Sequence, residues 1–235
     1  MATSGVTTFR SNMLDIITGA YETCRVIDPS EPLSDQQLRS AQKVLNQMLK
    51  GFIKHGLELF ALKRGTITLT QGTQSYTCGP GGTGLTERPL MITDAWYRET
   101  TSNDSPLEII SREEYWNLGD KTSEGIPNEI YYDPQDNLGV LYIFNTADAN
   151  TAGKTIELVY QRPFEDMVST TDDLDFPVEW EEAIEWGLAA RIAHRNGVTT
   201  NKVSQITAQA KTFLDEVLGW DAENTSIYLQ PQFNR

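Results

Sequence analysis

The sequence predicts an α+β protein in which a helical bundle is interrupted by an inserted antiparallel β domain and followed by an extended C-terminal tail. Apolar residues recur at three- and four-residue steps in two stretches near the N-terminus and two near the C-terminus. Between them the apolar period changes to two, which is typical of strands. The predicted regions are 1–64 for the first half of the bundle, 65–163 for the β domain, 164–218 for an acidic linker and the second half, and 219–235 for the tail.

Two helices are predicted within residues 8–55. Ser34 and Gln37 have the spacing of a capping box, so a helix is expected to begin beside them, and Gly56 is expected to end it. The first helix, over residues 8–24, would bury Phe9, Met13, Ile16, Ile17, Ala20, Tyr21 and Cys24. The second would bury Leu38, Ala41, Leu45, Met48, Leu49, Phe52 and Ile53.

The β domain is predicted from six stretches of strand-like pattern, enough for one small antiparallel sheet. They are residues 66–70, 90–96, 107–110, 129–132, 140–144 and 155–160. A short helix is expected over residues 112–118, because the hydroxyl of Ser111 can cap it. The glycines between Gly79 and Gly84 predict a loop, and this loop lacks the lysine of a phosphate-binding P-loop.

Two further helices are predicted after the acidic linker. Pro177 suits the first turn of one helix and Asn196 its end, and its buried face would hold Trp180, Ile184, Leu188 and Ile192. Thr200 can cap the next helix, which is expected to end before Gly219. Its apolar residues are Val203, Ile206, Ala210, Phe213, Leu214 and Val217. Each of the four predicted helices has one apolar face and therefore needs a partner, so we expect one bundle.

The composition sets limits on the class of protein. A chain of 235 residues with 39% hydrophobic content can bury a sizeable core. No apolar run approaches the roughly 20 residues of a membrane helix, and the first residues do not resemble a signal peptide, so we expect no membrane insertion. Cys24 and Cys78 have no CxxC spacing, which predicts two free thiols and a reducing compartment, with a single disulfide between them as the alternative.

Acidic residues dominate the middle and the end of the chain. The formal net charge is −14, and nine acids with no Lys or Arg lie between residues 165 and 185. Tight binding of nucleic acid needs clustered cations, so this segment is not expected to grip phosphates. It is either a solvated face or a negative surface that repels a polyanion. The acids that would form such a surface are Asp172, Asp173, Asp175, Glu179, Glu181, Glu182 and Glu185.

The C-terminal tail has no helical period but carries large apolar side chains. Trp220, Tyr228, Leu229 and Phe233 would be its anchors. Burying Tyr228, Leu229 and Phe233 would contribute roughly 6–9 kcal/mol together, which does not offset the entropy of ordering about a dozen residues at roughly 1–2 kcal/mol each. The tail is therefore expected to order on a neighbouring subunit or another protein, although it could instead fold back on its own domain.

Residues suited to catalysis or metal binding are sparse. His55 and His194 are the only histidines, and no His or Cys pair has ligand spacing. Glu181 and Glu185 lie four residues apart and could form an acid pair for glycoside hydrolysis, but such pairs more often lie on an exposed helix face. We predict no catalytic, cofactor-binding or metal site and a protein that is not an enzyme.

Several sequence strings, taken in order, resemble a known family. They are the helical SNMLDIITGAYETCRVIDPSEPLSDQQLRSAQKVLNQMLKGF, the strand segments GTITLTQGTQSYTCGPGG, ERPLMITDAWYRE, NEIYYDP and GVLYIFNTA, and the acidic DLDFPVEWEEAIEWGLAARIA. With the closing tail after a long helix, this order of elements resembles the head-to-tail adaptor proteins of short-tailed bacteriophages, also called head completion or packaged-DNA stabilisation proteins. The resemblance covers nearly the whole chain.

The resemblance implies a structural virion protein at the head–tail junction, made in the host cytoplasm. Such proteins form a homo-oligomeric ring, typically of about twelve copies, below the phage portal protein, and support tail nozzle or tail fibre proteins. Packaged DNA passes through the ring without sequence-specific binding. On this basis the tail anchors would dock on the portal, the acidic residues would line the channel, and the β domain would contact the tail or neighbouring subunits.

Two alternatives stay open at this point. A glycan-binding or host-attachment module would use exposed aromatic side chains of the β domain, such as Trp116 and Tyr131, to stack on sugars. A cell-wall hydrolase would use Glu181 and Glu185 as its acid pair.

Overall fold

The computed structural model describes residues 5, 9–29, 31–53, 59–101 and 103–220. The chain divides into two compact units. We call residues 1–60 with 165–235 the helical unit and residues 61–164 the β unit. The protein belongs to the α+β class, with helices and mostly antiparallel sheets.

The described residues contain five α-helices and two short 3₁₀ turns. The helices are α1 (Met13–Cys24), α2 (Asp35–Phe52), α3 (Arg112–Asn117), α4 (Glu181–Arg195) and α5 (Thr200–Trp220). The 3₁₀ turns are Leu59–Ala61 and Val178–Trp180. All helices except α3 belong to the helical unit.

The first helix begins later than the sequence pattern predicts. Asn12 and Asp15 form a reciprocal capping box that starts α1 at Met13. Phe9 therefore precedes the helix and is 74% exposed, so its predicted place in the buried stripe is wrong. The rest of that stripe, from Met13 to Cys24, is buried as expected.

The second helix follows its prediction closely. Ser34 and Gln37 form the expected capping box, and Ala41, Leu45, Met48, Leu49 and Phe52 are buried, whereas Leu38 and Ile53 are only half-buried. Phe52 joins a cluster of rings with Phe60, Phe176 and Trp180, whose centroids are 5.2–5.9 Å apart. Trp180 is fully buried, and its Nε1 has no hydrogen-bond partner among the described residues. The predicted stop at Gly56 lies outside the described residues.

Helix α4 packs against α1, α2 and α5 within the helical unit. Its predicted buried face is confirmed, since Trp180 just before it and Ile184, Leu188 and Ile192 within it are all buried. The Cys24 thiol of α1 donates a hydrogen bond to the Ala189 carbonyl of α4 at 3.1 Å. Lys202 of α5 in turn donates to the Cys24 carbonyl at 2.9 Å.

The last described helix differs from its prediction at both ends. It begins at Thr200 itself, and the carbonyl of Thr199 accepts hydrogen bonds from the amides of Lys202 and Val203. It continues through Gly219 to Trp220, so the predicted end before Gly219 is wrong. A single exposed glycine near the end of a helix costs only about 1 kcal/mol and does not force termination.

The β unit contains ten strands among the residues described. They are β1 (Leu62–Thr68), β2 (Ser75–Cys78), β3 (Met91–Thr100), β4 (Asn103–Pro106), β5 (Glu108–Ile109), β6 (Glu124–Gly125), β7 (Glu129–Asp133), β8 (Gly139–Phe144), β9 (Thr146–Ala147) and β10 (Thr155–Gln161). The strand orders are β1-β10-β3-β4 in one sheet, β2-β8-β7-β5 in a second, and β6-β9 in a two-stranded pair. The pairings β5–β7 and β6–β9 are parallel, and the others are antiparallel.

The prediction of one small sheet is wrong, because two four-stranded sheets form instead. The six predicted stretches all contain strand residues, but β2, β4, β6 and β9 were not among them. These four strands have only two to four residues each, too few to show a period. Ile67, Ile156 and Leu158 of the first sheet and Ile130, Leu141 and Ile143 of the second belong to one buried apolar cluster.

Local features of the β unit follow the sequence closely. Ser111 caps α3 with a capping box to Glu114, as predicted. The glycine-rich loop serves turn geometry, since Gly79 has φ 141° and a Cβ on Gly82 would lie 2.4 Å from the Thr77 carbonyl oxygen. Cys78 is buried and free, as is Cys24, and burial raises the pKa of the Cys24 thiol to about 11.

Membrane-spanning helices and clustered metal ligands are both missing from the part of the chain that the structure describes. No helix in it has the length and apolar content needed to cross a bilayer. No group of three or more His, Cys, Asp or Glu among the same residues is placed to hold a metal ion.

Candidate functional site

The acidic segment that precedes α4 is fixed to the helical unit by its backbone. The carbonyls of Thr170 and Asp172 accept hydrogen bonds from the amides of Leu14 and Met13, at 3.1 and 2.9 Å. These two amides lie in the first turn of α1, where no intrahelical carbonyl is available to them. Gln42 and Asn46 of α2 hold the segment from the other side, at the backbone of residues 167 and 168.

Two of the predicted channel acids stabilise this segment. The Asp172 carboxylate accepts hydrogen bonds from the amides of Val168 and Ser169, at 2.8 and 2.6 Å. These bonds lower the pKa of Asp172 from its ordinary value, because they favour the charged form. The Asp175 carboxylate accepts a hydrogen bond from the Glu165 amide at 3.0 Å. Both side chains therefore have a structural task within the segment.

Two others, Asp173 and Glu179, are exposed side chains. Neither takes part in an ion pair with another described residue. Their charge is open to solvent or to another molecule.

The remaining three acids lie together in a cleft of about 370 Å³. Glu181, Glu182 and Glu185 are on one side of α4 because positions three and four apart are neighbours on a helix. We call this cleft, with its other lining residues, the acidic cleft; these are Phe9, Ser11, Ile16, Val178 and Trp186. Both carboxylate oxygens of Glu181 lie 3.1 Å from the Ser11 amide that donates to them.

Glu185 is the most enclosed of the three. Burial raises the pKa of its carboxyl group from the ordinary value of 4.5, and repulsion by Glu182 adds to this, while a hydrogen bond with Thr23 opposes it. A Cβ built on Gly19 of α1 would lie 2.7 Å from the Glu185 carboxyl carbon. The absence of a side chain at Gly19 therefore lets Glu185 lie against α1.

A second cleft, of about 380 Å³, carries the opposite charge and was not predicted from the sequence. We call it the basic groove; it is lined by Val44, Gln47, Met48, Gly51, Arg191, His194 and Arg195. Arg191 donates a hydrogen bond to the Gly187 carbonyl at 2.9 Å. The available signal was the three- and four-residue spacing of Arg191, His194 and Arg195, which places them on one side of α4.

The predicted docking tail is described only at its start. Trp220 is the last residue of α5 and is 66% exposed. Tyr228, Leu229 and Phe233 lie outside the described residues.

The aromatic residues of the β unit pack mostly against each other. Tyr131 is only 7% exposed and stacks on Tyr142 with ring centroids 5.7 Å apart, so it is not the exposed sugar-stacking ring that the glycan-binding alternative needs. Trp116 is 52% exposed, and the Lys121 ammonium lies 5.5 Å from its ring centroid. Of Tyr131 and Trp116, only Trp116 offers an exposed aromatic surface.

Comparison with known proteins places this chain in a class of virion proteins. A family model described as SU10 adaptor protein matches residues 11–229, which is nearly the whole chain. The protein therefore belongs to the SU10 adaptor protein family, a family of bacteriophage head–tail adaptors. The match confirms the family resemblance and assigns the chain to the virion as an adaptor. No curated protein matches the sequence.

Proposed function

We propose that the protein forms a ring of about twelve copies below the portal, where it joins capsid to tail, extends the DNA channel and helps to retain packaged DNA. The observation that carries this proposal is the family match over residues 11–229. In the proposal, the four helices of the helical unit act as one bundle and build the ring. The β unit faces tail nozzle or fibre proteins.

The channel wall in this proposal is acidic. DNA carries about one negative charge per 1.7 Å, and binding to it requires cations that replace its counterions. A wall of carboxylates repels the phosphates, so DNA would slide past instead of adhering. Asp173 and Glu179 are our first candidates for this wall, because both are exposed and free of ion pairs with other described residues.

The portal contact in this proposal is made by the C-terminal tail. Trp220 ends a helix of 21 residues and exposes 66% of its surface, so it can be covered by a partner. Tyr228, Leu229 and Phe233 follow within the next 13 residues and would supply further apolar anchors. Many copies engaging at once would multiply a weak individual contact.

The experiment is native mass spectrometry of the protein with the portal encoded by the same genome. Three chains are compared: the full-length protein, a chain ending at Trp220 and a chain ending at Gly219. We expect the full-length protein to add to the portal in a fixed ring-like multiple and both shortened chains to lose attachment. If both shortened chains attach as well as the full-length protein, the tail is not the docking element.

A host-attachment role keeps one specific observation in its favour, the exposed ring of Trp116. Binding to the host envelope that Trp116→Ala abolishes, with the fold intact, would support it. Tyr142→Ala is not a suitable control, because Tyr142 supports the packed rings of Tyr115 and Tyr131. Trp220→Ala provides the matched control, since it removes a similarly exposed indole from the helical unit.

The hydrolase alternative also keeps one observation, the raised pKa of Glu185 in a cleft that holds two further carboxylates, those of Glu181 and Glu182. A raised pKa is what a general acid needs. Zymography on peptidoglycan tests it directly: clearing by the wild type that disappears in Glu185→Gln and Glu181→Gln would support hydrolysis. Absence of clearing by the wild type would rule out the hydrolase alternative.

A further inference from the structure

We propose that neighbouring copies join head to tail, with the basic groove of one copy seated against the acidic cleft of the next. This inference rests on the proposed ring and names its subunit contact. The occupant of each surface is therefore a second copy of this chain. The position, the charge and the lining of the two surfaces all favour this pairing.

The two surfaces lie at opposite ends of α4. Glu181 and Glu182 are in its first turn, and His194 and Arg195 are in its last. A helix rises 1.5 Å per residue, so the two ends are about 20 Å apart. One rigid helix cannot bring its own ends together, so the acids and bases of α4 can meet only between copies. Contact between two different surfaces of identical subunits is the heterologous type that generates rings.

The charges on both surfaces lack opposite partners within the described chain. None of Glu181, Glu182, Glu185, Arg191, His194 and Arg195 forms an ion pair with another described residue. The helix dipole favours acids at the start and bases at the end of α4, which explains their position along the helix. The dipole does not explain why they stand beside apolar side chains in two clefts of nearly equal size.

Apolar side chains accompany the charges on each surface. Phe9 is 74% exposed and Val178 39% exposed at the acidic cleft. Val44 and Met48 line the basic groove but are only 3% and 2% exposed, so they are already covered within the subunit. Burying large apolar side chains contributes to affinity, whereas complementary charges mainly set the register and reject a wrong partner. The acidic cleft thus offers exposed apolar side chains for a neighbouring copy to cover, and the basic groove offers the complementary charge.

Charge complementarity also fits the overall composition. Because each copy has a formal net charge of −14, two copies repel each other in the majority of relative orientations. The basic groove places three cation-forming side chains next to each other on a chain with only 19 Lys and Arg. Pairing this groove with the acidic cleft is an orientation in which the charge interaction becomes attractive.

Charge reversal tests the contact with the full-length protein and the portal. Glu182→Lys and Arg195→Glu each place like charges across the contact, and we expect each to lower the yield of the portal-bound ring at least about tenfold. The double variant exchanges both charges, so it should assemble nearly as well as the wild type. The readout is native mass spectrometry.

A mixture of the two single variants gives a sharper outcome. In alternating order, every contact in a mixed ring again joins opposite charges, so an equimolar mixture should assemble while neither variant does so alone. Such rings must contain equal numbers of the two variants. Glu216→Lys and Lys211→Glu are matched controls on α5, because both residues are exposed and neither lines the two surfaces.

A second measurement does not depend on charge. Glu182→Cys and Arg195→Cys in one chain should give a ladder of covalent multimers with a short bis-maleimide in the presence of the portal. The native thiols Cys24 and Cys78 are buried, so wild-type protein is the background control. Crosslinks confined to the monomer would contradict the proposed contact between copies.

The outcomes separate this contact from the ring itself. Suppose that the wild type forms a portal-bound ring. If the single reversals then assemble equally well, this contact is wrong and the ring stands. The same follows if the double variant does not recover assembly and no crosslinked ladder forms. If the wild type forms no multimer with the portal, the ring and the contact both fall. Recovery by the double variant and by the mixture establishes the contact.

Discussion

The helical unit and the β unit use their charged residues in different ways. In the β unit, Arg98 pairs with Asp104 and Glu157, and Lys63 pairs with Glu87, so cations and acids meet within the unit. In the helical unit, the three acids of the acidic cleft and the cations of the basic groove form no ion pair with other described residues. The helical unit does form an ion pair, between Lys50 and Asp166, so the contrast lies in its two clefts, whose charged side chains have no ion-pair partner among the described residues.

The two units also differ in how their cores are built. In the helical unit, Phe52, Phe60 and Phe176 pack around Trp180 in addition to many buried aliphatic side chains, while the buried cluster of the β unit comes from two sheets. Truncating the largest buried side chain leaves the largest cavity and so has the largest cost in stability. Substitutions in the two units should therefore differ in their effect on stability.

The largest effect is expected at Trp180. Trp180→Ala should lower the free energy of unfolding by about 3–5 kcal/mol, because it leaves a cavity among Phe52, Phe60 and Phe176. Trp180→Phe should cost clearly less, since the ring is kept and the indole Nε1 has no described hydrogen-bond partner to lose. Urea denaturation followed by circular dichroism measures both. Equal losses for the two variants would contradict the central place of the ring.

A glycine in each unit gives the next contrast. A Cβ at Gly139 in the β unit would lie 2.0 Å from the Tyr132 hydroxyl, which donates a 2.6 Å hydrogen bond to the Pro89 carbonyl. Gly139→Ala should therefore cost about 1–3 kcal/mol of unfolding free energy, because a rigid ring must move. The same denaturation experiment applies.

Gly187 in the helical unit is the matched case. Its added Cβ would lie 3.1 Å from the sulfur of Met48, a flexible side chain that can shift. Alanine also favours the helix by about 1 kcal/mol over glycine. Gly187→Ala should leave the free energy of unfolding within about 1 kcal/mol of the wild type. A loss as large as that of Gly139→Ala would show that Met48 cannot shift and that α2 and α4 are packed rigidly.

The helix caps should behave alike in both units. Ser34 in the helical unit and Ser111 in the β unit each accept a hydrogen bond from the amide three residues later. Ser34→Ala and Ser111→Ala should each cost about 1 kcal/mol, because each leaves an amide of the first turn without its acceptor. Replacing each serine with threonine is the control. If one serine-to-alanine change lowers the free energy of unfolding far more than the other, the effect of the cap is not purely local.

The smallest effects concern pH. Because the pKa of Glu185 is raised in the folded protein, its contribution to the free energy of unfolding is fully present below about pH 4.5. That contribution is lost as the pH rises through the raised pKa. Asp172 has a lowered pKa, so its contribution is present above its ordinary value of 3.8 and is lost as the pH falls through the lowered one. Glu185→Gln should reduce the loss of stability that occurs as the pH rises, and Asp172→Asn should reduce the loss that occurs as the pH falls. Urea denaturation at a series of pH values measures both, and unchanged slopes would contradict these assignments.

Much of the secondary structure could be predicted from the sequence, because its signals are local. The capping boxes at Ser34 and Ser111 and the buried face of α4 follow from residues within a few positions of each other. The misplacement of Phe9 shows the limit of local patterns. The spacing of Phe9 continues the apolar period of α1, but the Asn12 cap starts the helix at Met13, so Phe9 lies before it.

The site was only partly predictable, for a related reason. The seven acids were identified as one group, yet Asp172 and Asp175 hold a segment in place while Glu181, Glu182 and Glu185 line a cleft. The partner decides this division: Asp172 and Asp175 accept from amides of their own segment, whereas Glu181 accepts from the Ser11 amide, which is distant in sequence. The basic groove was missed because Met48 and Val44 of α2 and the cations of α4 are far apart in sequence.

The sequence by itself determined the class of the protein, the periods of its helices and strands, and the excess of acids in residues 165–185. Those properties depend on composition and on neighbours along the chain. Only the tertiary structure decided that the strands divide into two sheets and that the acids and bases of α4 line two separate clefts. The reason is that a cleft forms where helices distant in sequence pack together, and packing depends on which side chains meet across them.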